Sequence, residues 1–169
     1  MGIDLYCRGK WFSCSYSSWN NIRIECICAA IRYLESLLKT LNETLDQTIE
    51  EDEQKDFVYK REKNERNIEH LHVLIQMKPL LIKSVDSFLY QIQINNYIDT
   101  LISLELNGLY ALINKSDCDG FYSPGNALDI VTLLNTIQPH MSSDIAELIQ
   151  FIIPLFQKSI ETNTRILIS

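Results

Sequence analysis

The residues of this chain that could perform chemistry are concentrated in positions 116–124, which read Ser-Asp-Cys-Asp-Gly-Phe-Tyr-Ser-Pro. Two acidic residues one position apart, followed by glycine, match the front of a calcium-binding loop, because Ca²⁺ prefers carboxylate and carbonyl oxygens. Gly120 takes the sixth position of that loop if the two patterns are aligned. The predicted metal ligands are then Asp117, Asp119, the carbonyl of Phe121, Ser123 and Asn126.

Both ends of this loop depart from the calcium-binding pattern. Lys115 places a cation at the first position, and Asn126 offers one oxygen at the last position, where glutamate supplies two. If this loop binds calcium, we therefore expect weak binding, with a dissociation constant of about 10⁻³ M or above. The alternative needs no metal: the aspartates bond backbone donors in a tight turn, Gly120 takes a positive φ, and Ser123 caps the next helix. The sequence favours this turn, and we expect no other cofactor.

The same segment carries a resemblance to other proteins. Together with the opening Met-Gly-Ile-Asp, it resembles a group of small uncharacterised proteins that share a domain of unknown function. Those proteins begin with M-G-x-D and contain an H-S-D-C-D-G-x-x-[ST]-P-E-E-like segment. This chain has Lys115 in place of the histidine and Gly125-Asn126 in place of the two glutamates. The resemblance covers a small part of the chain and implies no activity.

Other residue types give no convergent catalytic set. His70 and His72 are two positions apart on a predicted helix, whereas a helical zinc motif places histidines at i and i+4. The sequence has no G-x-S-x-G, no glycine-rich phosphate loop and no H-E-x-x-H. We therefore expect a non-enzymatic structural or protein-interaction protein. The alternatives are a weak calcium-binding module that uses residues 117–126 and, with less support, a small-substrate enzyme.

The composition limits the partners and the compartment. A formal net charge of -7 disfavours nucleic acids and anionic membranes, because such partners require basic surfaces. The five cysteines are odd in number and include no C-x-x-C pair, and the first residues lack a signal-peptide pattern. We therefore expect a cytoplasmic protein with reduced thiols. No apolar run approaches the length needed to span a bilayer, so the expected partner is a protein, or a second copy bound through helical surfaces.

The first half of the chain predicts a hairpin of strands followed by a hairpin of helices. Residues 1–16 alternate around a turn near Gly9, and we expect their aromatic face to pack on helices, since two strands alone are marginally stable. Apolar residues at alternating spacings of three and four predict a helix over 19–48, and a similar stripe predicts a partner over 56–94. We expect an intramolecular helical hairpin over 17–94, with a homodimeric coiled coil as the alternative.

The second half predicts further helices around the candidate loop. A helix is expected over 97–113, where Gly108 could break it, and another over 123–138, capped by Ser123. A terminal helix should begin at Ser142 or Ser143. The whole chain, 1–169, is predicted to form one mainly α domain. In it, an N-terminal β-hairpin packs on a long antiparallel helical hairpin, and a C-terminal helix–loop–helix with an EF-hand-like loop and a terminal helix follow over 95–169.

Overall fold

A computed structural model of the chain describes residues 2–48, 55–76, 85–115 and 120–169. The predicted hairpin is confirmed as strands β1 (Gly2–Cys7) and β2 (Lys10–Ser15), paired in antiparallel register. Arg8 and Gly9 form a two-residue turn with φ values of 46° and 81°. Positive φ at both positions is typical of a type I′ turn, whose twist matches that of the strands it joins.

Two further strands, which the sequence analysis did not predict, complete a four-stranded antiparallel sheet. They are β3 (Gly120–Tyr122) and β4 (Ile166–Ile168), and the spatial order is β2-β1-β4-β3. The candidate loop therefore leads into an edge strand, and β4 joins that strand to the N-terminal hairpin.

The long helical hairpin is confirmed within the described residues. Helix α1 (Tyr16–Thr48) begins directly after β2, where the Ser15 hydroxyl accepts a hydrogen bond from the Ser18 backbone N–H at 3.1 Å. Helix α2 (Lys55–Gln76) packs against it. Helix α3 (Val85–Ile94) follows, and residues 49–54 and 77–84 lie outside the description.

The helix expected over 97–113 is two helices, α4 (Ile98–Ser103) and α5 (Asn107–Ile113). The break lies before Gly108, at Glu105, whose φ is 58°. Gly108 itself is buried within α5, and a Cβ built there would lie 2.2 Å from the Asp129 carbonyl oxygen. Glycine therefore allows close helix packing here rather than breaking the helix.

The last helices agree with the prediction. They are α6 (Pro124–Ile137), which is N-capped by Ser123, and α7 (Ser143–Thr162), with a short 3₁₀ turn at Gln138–His140 between them. Helix α6 packs between α5 and α7, while α1 and α7 contact the sheet. Among the described residues, no helix combines the length and apolar character needed to cross a membrane.

The inner face of the sheet is mainly aliphatic, although Phe12 on β2 and Tyr122 on β3 also lie on it. The expectation that the aromatic face of the hairpin packs on helices is therefore corrected for Tyr6 and Trp11. Ile3 and Leu5 on β1, with Ile166 on β4, are fully buried. Tyr6 and Trp11 point the other way, because neighbouring residues of a strand face opposite sides of the sheet. The helices therefore cover the inner face of the sheet and leave Tyr6 and Trp11 exposed on the outer face.

Candidate functional site

The predicted calcium ligands divide between described and undescribed residues. Asp117 and Asp119 lie in segment 116–119, outside the description, whereas Phe121, Ser123 and Asn126 lie within it. The calcium site therefore stays a prediction, and the described residues establish what surrounds it.

Two of the predicted ligands form the N-terminal cap of α6. The Asn126 side-chain oxygen accepts hydrogen bonds from the Ser123 backbone N–H at 3.3 Å and from its hydroxyl at 3.0 Å. The Ser123 hydroxyl in turn accepts a bond from the Asn126 backbone N–H at 3.1 Å. This reciprocal pattern is a capping box, which satisfies backbone donors that a helix start leaves without partners. A metal ion bound to the Asn126 oxygen would compete with the two hydrogen bonds that this oxygen already accepts.

Two cations lie close to the ring of Phe121. The guanidinium carbon of Arg165 lies 4.2 Å from the centre of the Phe121 ring, and the Lys115 ammonium lies 5.8 Å from it. The buried Arg23 of α1 donates a hydrogen bond to the Lys115 carbonyl at 3.4 Å. Two positive charges thus lie close to Phe121, one of the predicted ligands, and like charges oppose the approach of Ca²⁺ to that residue.

An exposed row of apolar side chains crosses the outer face of the sheet. Tyr6 lies opposite Trp11 on one side and opposite Leu167 on the other, and Leu167 lies opposite Phe121. Directly opposite residues share one face of a sheet, with neighbouring strands about 4.8 Å apart. The four side chains therefore form one line across all four strands, which we call the apolar row: Trp11, Tyr6, Leu167 and Phe121.

The apolar row is large for an uncovered surface. The exposed fractions are 71% for Trp11, 49% for Tyr6, 53% for Leu167 and 39% for Phe121. At about 200 Å² for a large side chain, the row leaves roughly 400 Å² accessible. Contiguous apolar patches of this size on a monomer are often functional.

Polar residues border the apolar row. Asp4 and Ser13 are paired and lie in the next outward position on β1 and β2, and Asp4 also exchanges two backbone hydrogen bonds with Ser169. On the other border, Arg165 lies over the edge-strand end of the row, at Phe121. An apolar centre with a polar rim is the usual anatomy of a protein interface.

The inner face fixes β3, and thereby the position of Phe121. Tyr122, the next residue, is fully buried, and its hydroxyl donates a hydrogen bond to the Leu112 carbonyl of α5 at 3.2 Å. Its ring lies 5.3 Å, centre to centre, from that of Phe156 on α7. With Tyr122 held inward on two helices, alternation along the strand directs Phe121 outward.

A second group of polar side chains has a structural role. Glu25 of α1 accepts hydrogen bonds from Arg32 and from the Ser142 backbone N–H at 2.8 Å, while Arg32 donates to the His140 carbonyl at 2.6 Å. The rings of His140 and Tyr33 are in edge contact at 5.8 Å. These bonds attach α1 to the connection between α6 and α7.

The pKa values of two thiols, Cys26 on α1 and Cys14 on β2, are raised, which favours their neutral form. Burial raises the pKa of Cys26, and the neighbouring Glu25 carboxylate raises it further. Partial burial, with a contribution from Asp4, also raises the pKa of Cys14. Because the thiolate is the reactive species, both groups are poor nucleophiles near neutral pH. Within the described part of the chain, no three or more histidine, cysteine or acidic residues are grouped so that they could hold a metal.

Comparison with known proteins adds no relative. No protein-family model, curated protein or solved structure matches this chain. The sequence analysis missed the apolar row because it assigned the aromatic residues of the hairpin to the core. Because neighbouring residues of a strand face opposite sides, Tyr6 and Trp11 lie on one face of the hairpin and Leu5 and Phe12 on the other. This alternation was the sequence signal that could have separated the exposed aromatic residues from the core.

Proposed function

We propose that this chain is a non-enzymatic, intracellular protein-interaction protein and that the apolar row on its sheet is the contact surface. The observation that carries the proposal is the exposure of Trp11, Tyr6, Leu167 and Phe121 in one continuous line. Tryptophan, tyrosine and arginine are the residues that most often dominate binding energy at interfaces, and Arg165 borders the row.

The size of the row supports a reversible complex. Covering roughly 400 Å² of apolar surface contributes about 10 kcal/mol before costs, at about 25 cal/mol per Å². Association costs about 4–15 kcal/mol in lost rigid-body freedom, so the row alone offsets a large part of that cost. The partner's own apolar surface and the polar rim supply the remainder.

The sheet is a better candidate than the helical surfaces expected from the sequence. Large apolar side chains are also exposed on helices, including Leu128 on α6 and Phe151 on α7. Strand register, however, places the four members of the apolar row next to each other. Adjacent side chains can be desolvated together by one partner, which is how interface hot spots gain their energy.

Two observations support the remaining parts of the proposal. Glu25, an acidic side chain of the type that could act in catalysis, is engaged in bonds to Arg32 and Ser142 that join helices. Cys7, Cys14, Cys26 and Cys28 are free thiols, as is usual in reducing intracellular compartments.

Site-specific photo-crosslinking tests this proposal. A photoreactive amino acid is placed at position 11 and, as a matched control, at position 151, because Trp11 and Phe151 are each 71% exposed. We expect discrete protein adducts from position 11 in cells that produce the protein, and far fewer from position 151. Equal yields from both positions would contradict the proposal, because exposure alone would then explain the adducts.

A further inference from the structure

We infer that the partner covering the apolar row is a second copy of this chain, bound face to face about a two-fold axis. This inference rests on the proposed function and adds the identity of the partner. Its basis is that the two ends of the row differ: Trp11 is the most exposed member, whereas Phe121 carries the Arg165 guanidinium over its ring.

The two ends complement each other chemically. A two-fold axis parallel to the strands, passing between β1 and β4, reverses the order of the row in the second copy. Trp11 then faces Phe121 of the other copy, and Tyr6 faces its Leu167. Arg165 consequently reaches the Trp11 ring across the interface, and tryptophan is the aromatic side chain that binds cations best. Isologous interfaces require this kind of self-complementary patch.

The positions of the cations favour this axis over a two-fold axis that runs along the row. An axis along the row would place Phe121 against Phe121, and the Arg165 and Lys115 cations of both copies would meet. The axis parallel to the strands sends the two pairs of cations to opposite ends of the row. The row spans three strand spacings, or about 14 Å, which exceeds the screening length of about 8 Å at physiological ionic strength.

The accessible area of the apolar row predicts a reversible dimer. A typical stable interface covers about 800 Å² on each partner, and the apolar row supplies roughly half of that. The rest comes from bordering residues such as Asp4, Ser13 and Arg165. Two twisted sheets stacked in this way keep their strands nearly aligned, which is a common packing of sheets. We therefore expect a dissociation constant on the order of 10⁻⁵ M.

Sedimentation velocity over protein concentrations from about 1 to about 200 μM, which brackets that constant, tests the inference. The wild-type chain should shift from monomer to dimer across this range. Trp11→Ser should weaken the dimer at least tenfold, because it removes the tryptophan that contacts Phe121 and Arg165 at each end of the interface. The control Phe151→Ser removes an equally exposed aromatic residue from α7 and should leave the dissociation constant unchanged.

A charge substitution provides the second arm. Arg165→Glu should also weaken the dimer, since it removes the cation that faces Trp11. Because Trp11 and Arg165 are exposed, neither substitution should change the melting temperature of the dilute monomer by more than a few degrees, and melts confirm that each variant is folded.

The following outcomes would overturn the inference. A chain that stays monomeric throughout the range, or a dimer that Trp11→Ser leaves intact, removes the second copy as the occupant. If a monomeric chain still gives adducts with other proteins from position 11, the proposed function survives and only this inference fails. If it instead binds a single-stranded ten-nucleotide oligouridylate, and Trp11→Ser abolishes that binding, the surface belongs to nucleic acid and both proposals fail.

Discussion

Gly108 offers a direct test of how α5 is held beside the candidate site. This glycine lies in α5 against α6, and both helices flank the segment that contains the predicted calcium loop. A Cβ at this position would lie 2.2 Å from the Asp129 carbonyl oxygen, 2.6 Å from its carbonyl carbon and 2.9 Å from the Leu133 Cβ. Since carbon atoms pack at about 3.5 Å or more, Gly108→Ala must separate the two helices by about 1 Å.

The expected cost of this substitution follows from two opposing effects. Alanine gains up to about 1 kcal/mol over glycine inside a helix. Overpacking costs about 1–3 kcal/mol, and the upper value applies here because the obstacle is backbone of α6 and not a flexible side chain. Gly108→Ala should therefore lower the free energy of unfolding by about 2 kcal/mol. For a domain of this size, the melting temperature should fall by about 4–8 °C.

Thermal and urea denaturation of the purified variants measure this effect. Gly125→Ala is the matched control, because a Cβ at Gly125 would lie 3.7 Å from the Ser123 hydroxyl, an ordinary contact. That variant should melt at or slightly above the wild-type temperature. A Gly108→Ala variant as stable as the wild type would refute the reasoning, because it would show that α5 and α6 are not in close backbone contact.

Three further predictions concern the cap, the metal and the thiol. Ser123→Ala should lower the free energy of unfolding by about 1 kcal/mol in urea, because it removes the hydroxyl half of the capping box; an unchanged midpoint would show that the cap contributes nothing. Millimolar calcium should leave the melting temperature equal to that in chelator, since Ser123 and Asn126 bond each other and two cations lie close to Phe121. A rise in melting temperature with calcium that Asp119→Ala abolishes would instead establish the metal site. Because of Cys26, the free energy of unfolding should fall as the pH rises above 9.0. The thiol of the unfolded chain then loses its proton while the buried thiol keeps it, so the unfolded state binds fewer protons than the folded state. Urea midpoints between pH 8 and pH 10 should fall less steeply in Cys26→Ala, and identical slopes would count against this origin.

Local signals predicted most of the helical architecture. The alternating three and four spacing of apolar residues located α1 and α2, because this periodicity keeps one helical face against its partner. The Ser123-Pro124 pair located the start of α6, since serine accepts the first backbone bonds and proline has no N–H to leave unpaired. Such features depend on residues a few positions apart, and the sequence shows them directly.

The apolar row depended on contacts that no local pattern contains. Strands β3 and β4 have three residues each, which is too short for alternation to be recognised. The row forms only because β4 pairs with β1 at one edge and with β3 at the other, which unites the two halves of the chain. Without that register, Leu167 and Phe121 cannot be assigned to the same face as Tyr6. The choice of which hairpin face is buried also depended on the helices, which cover Ile3 and Leu5.

The candidate calcium loop shows the limit of motif alignment. Spacing alone assigned Ser123 and Asn126 as oxygen donors, but the same residue types are preferred for capping a helix. The structure has the two side chains bonded to each other. Arg165, which lies over Phe121, is far from it in the sequence, on the other side of helices α6 and α7. Its positive charge could not have been included in any local assessment of the loop.

The central claim is that the apolar row is the surface through which this protein binds another protein. Photo-crosslinking yield at position 11 relative to position 151 measures it most directly, since the native residues at both positions are equally exposed. Our account predicts discrete adducts at position 11 that disappear when Tyr6→Ser is introduced beside it, because the neighbouring anchor is then lost. Adducts of equal yield at both positions, or adducts at position 11 that Tyr6→Ser leaves unchanged, would contradict the account.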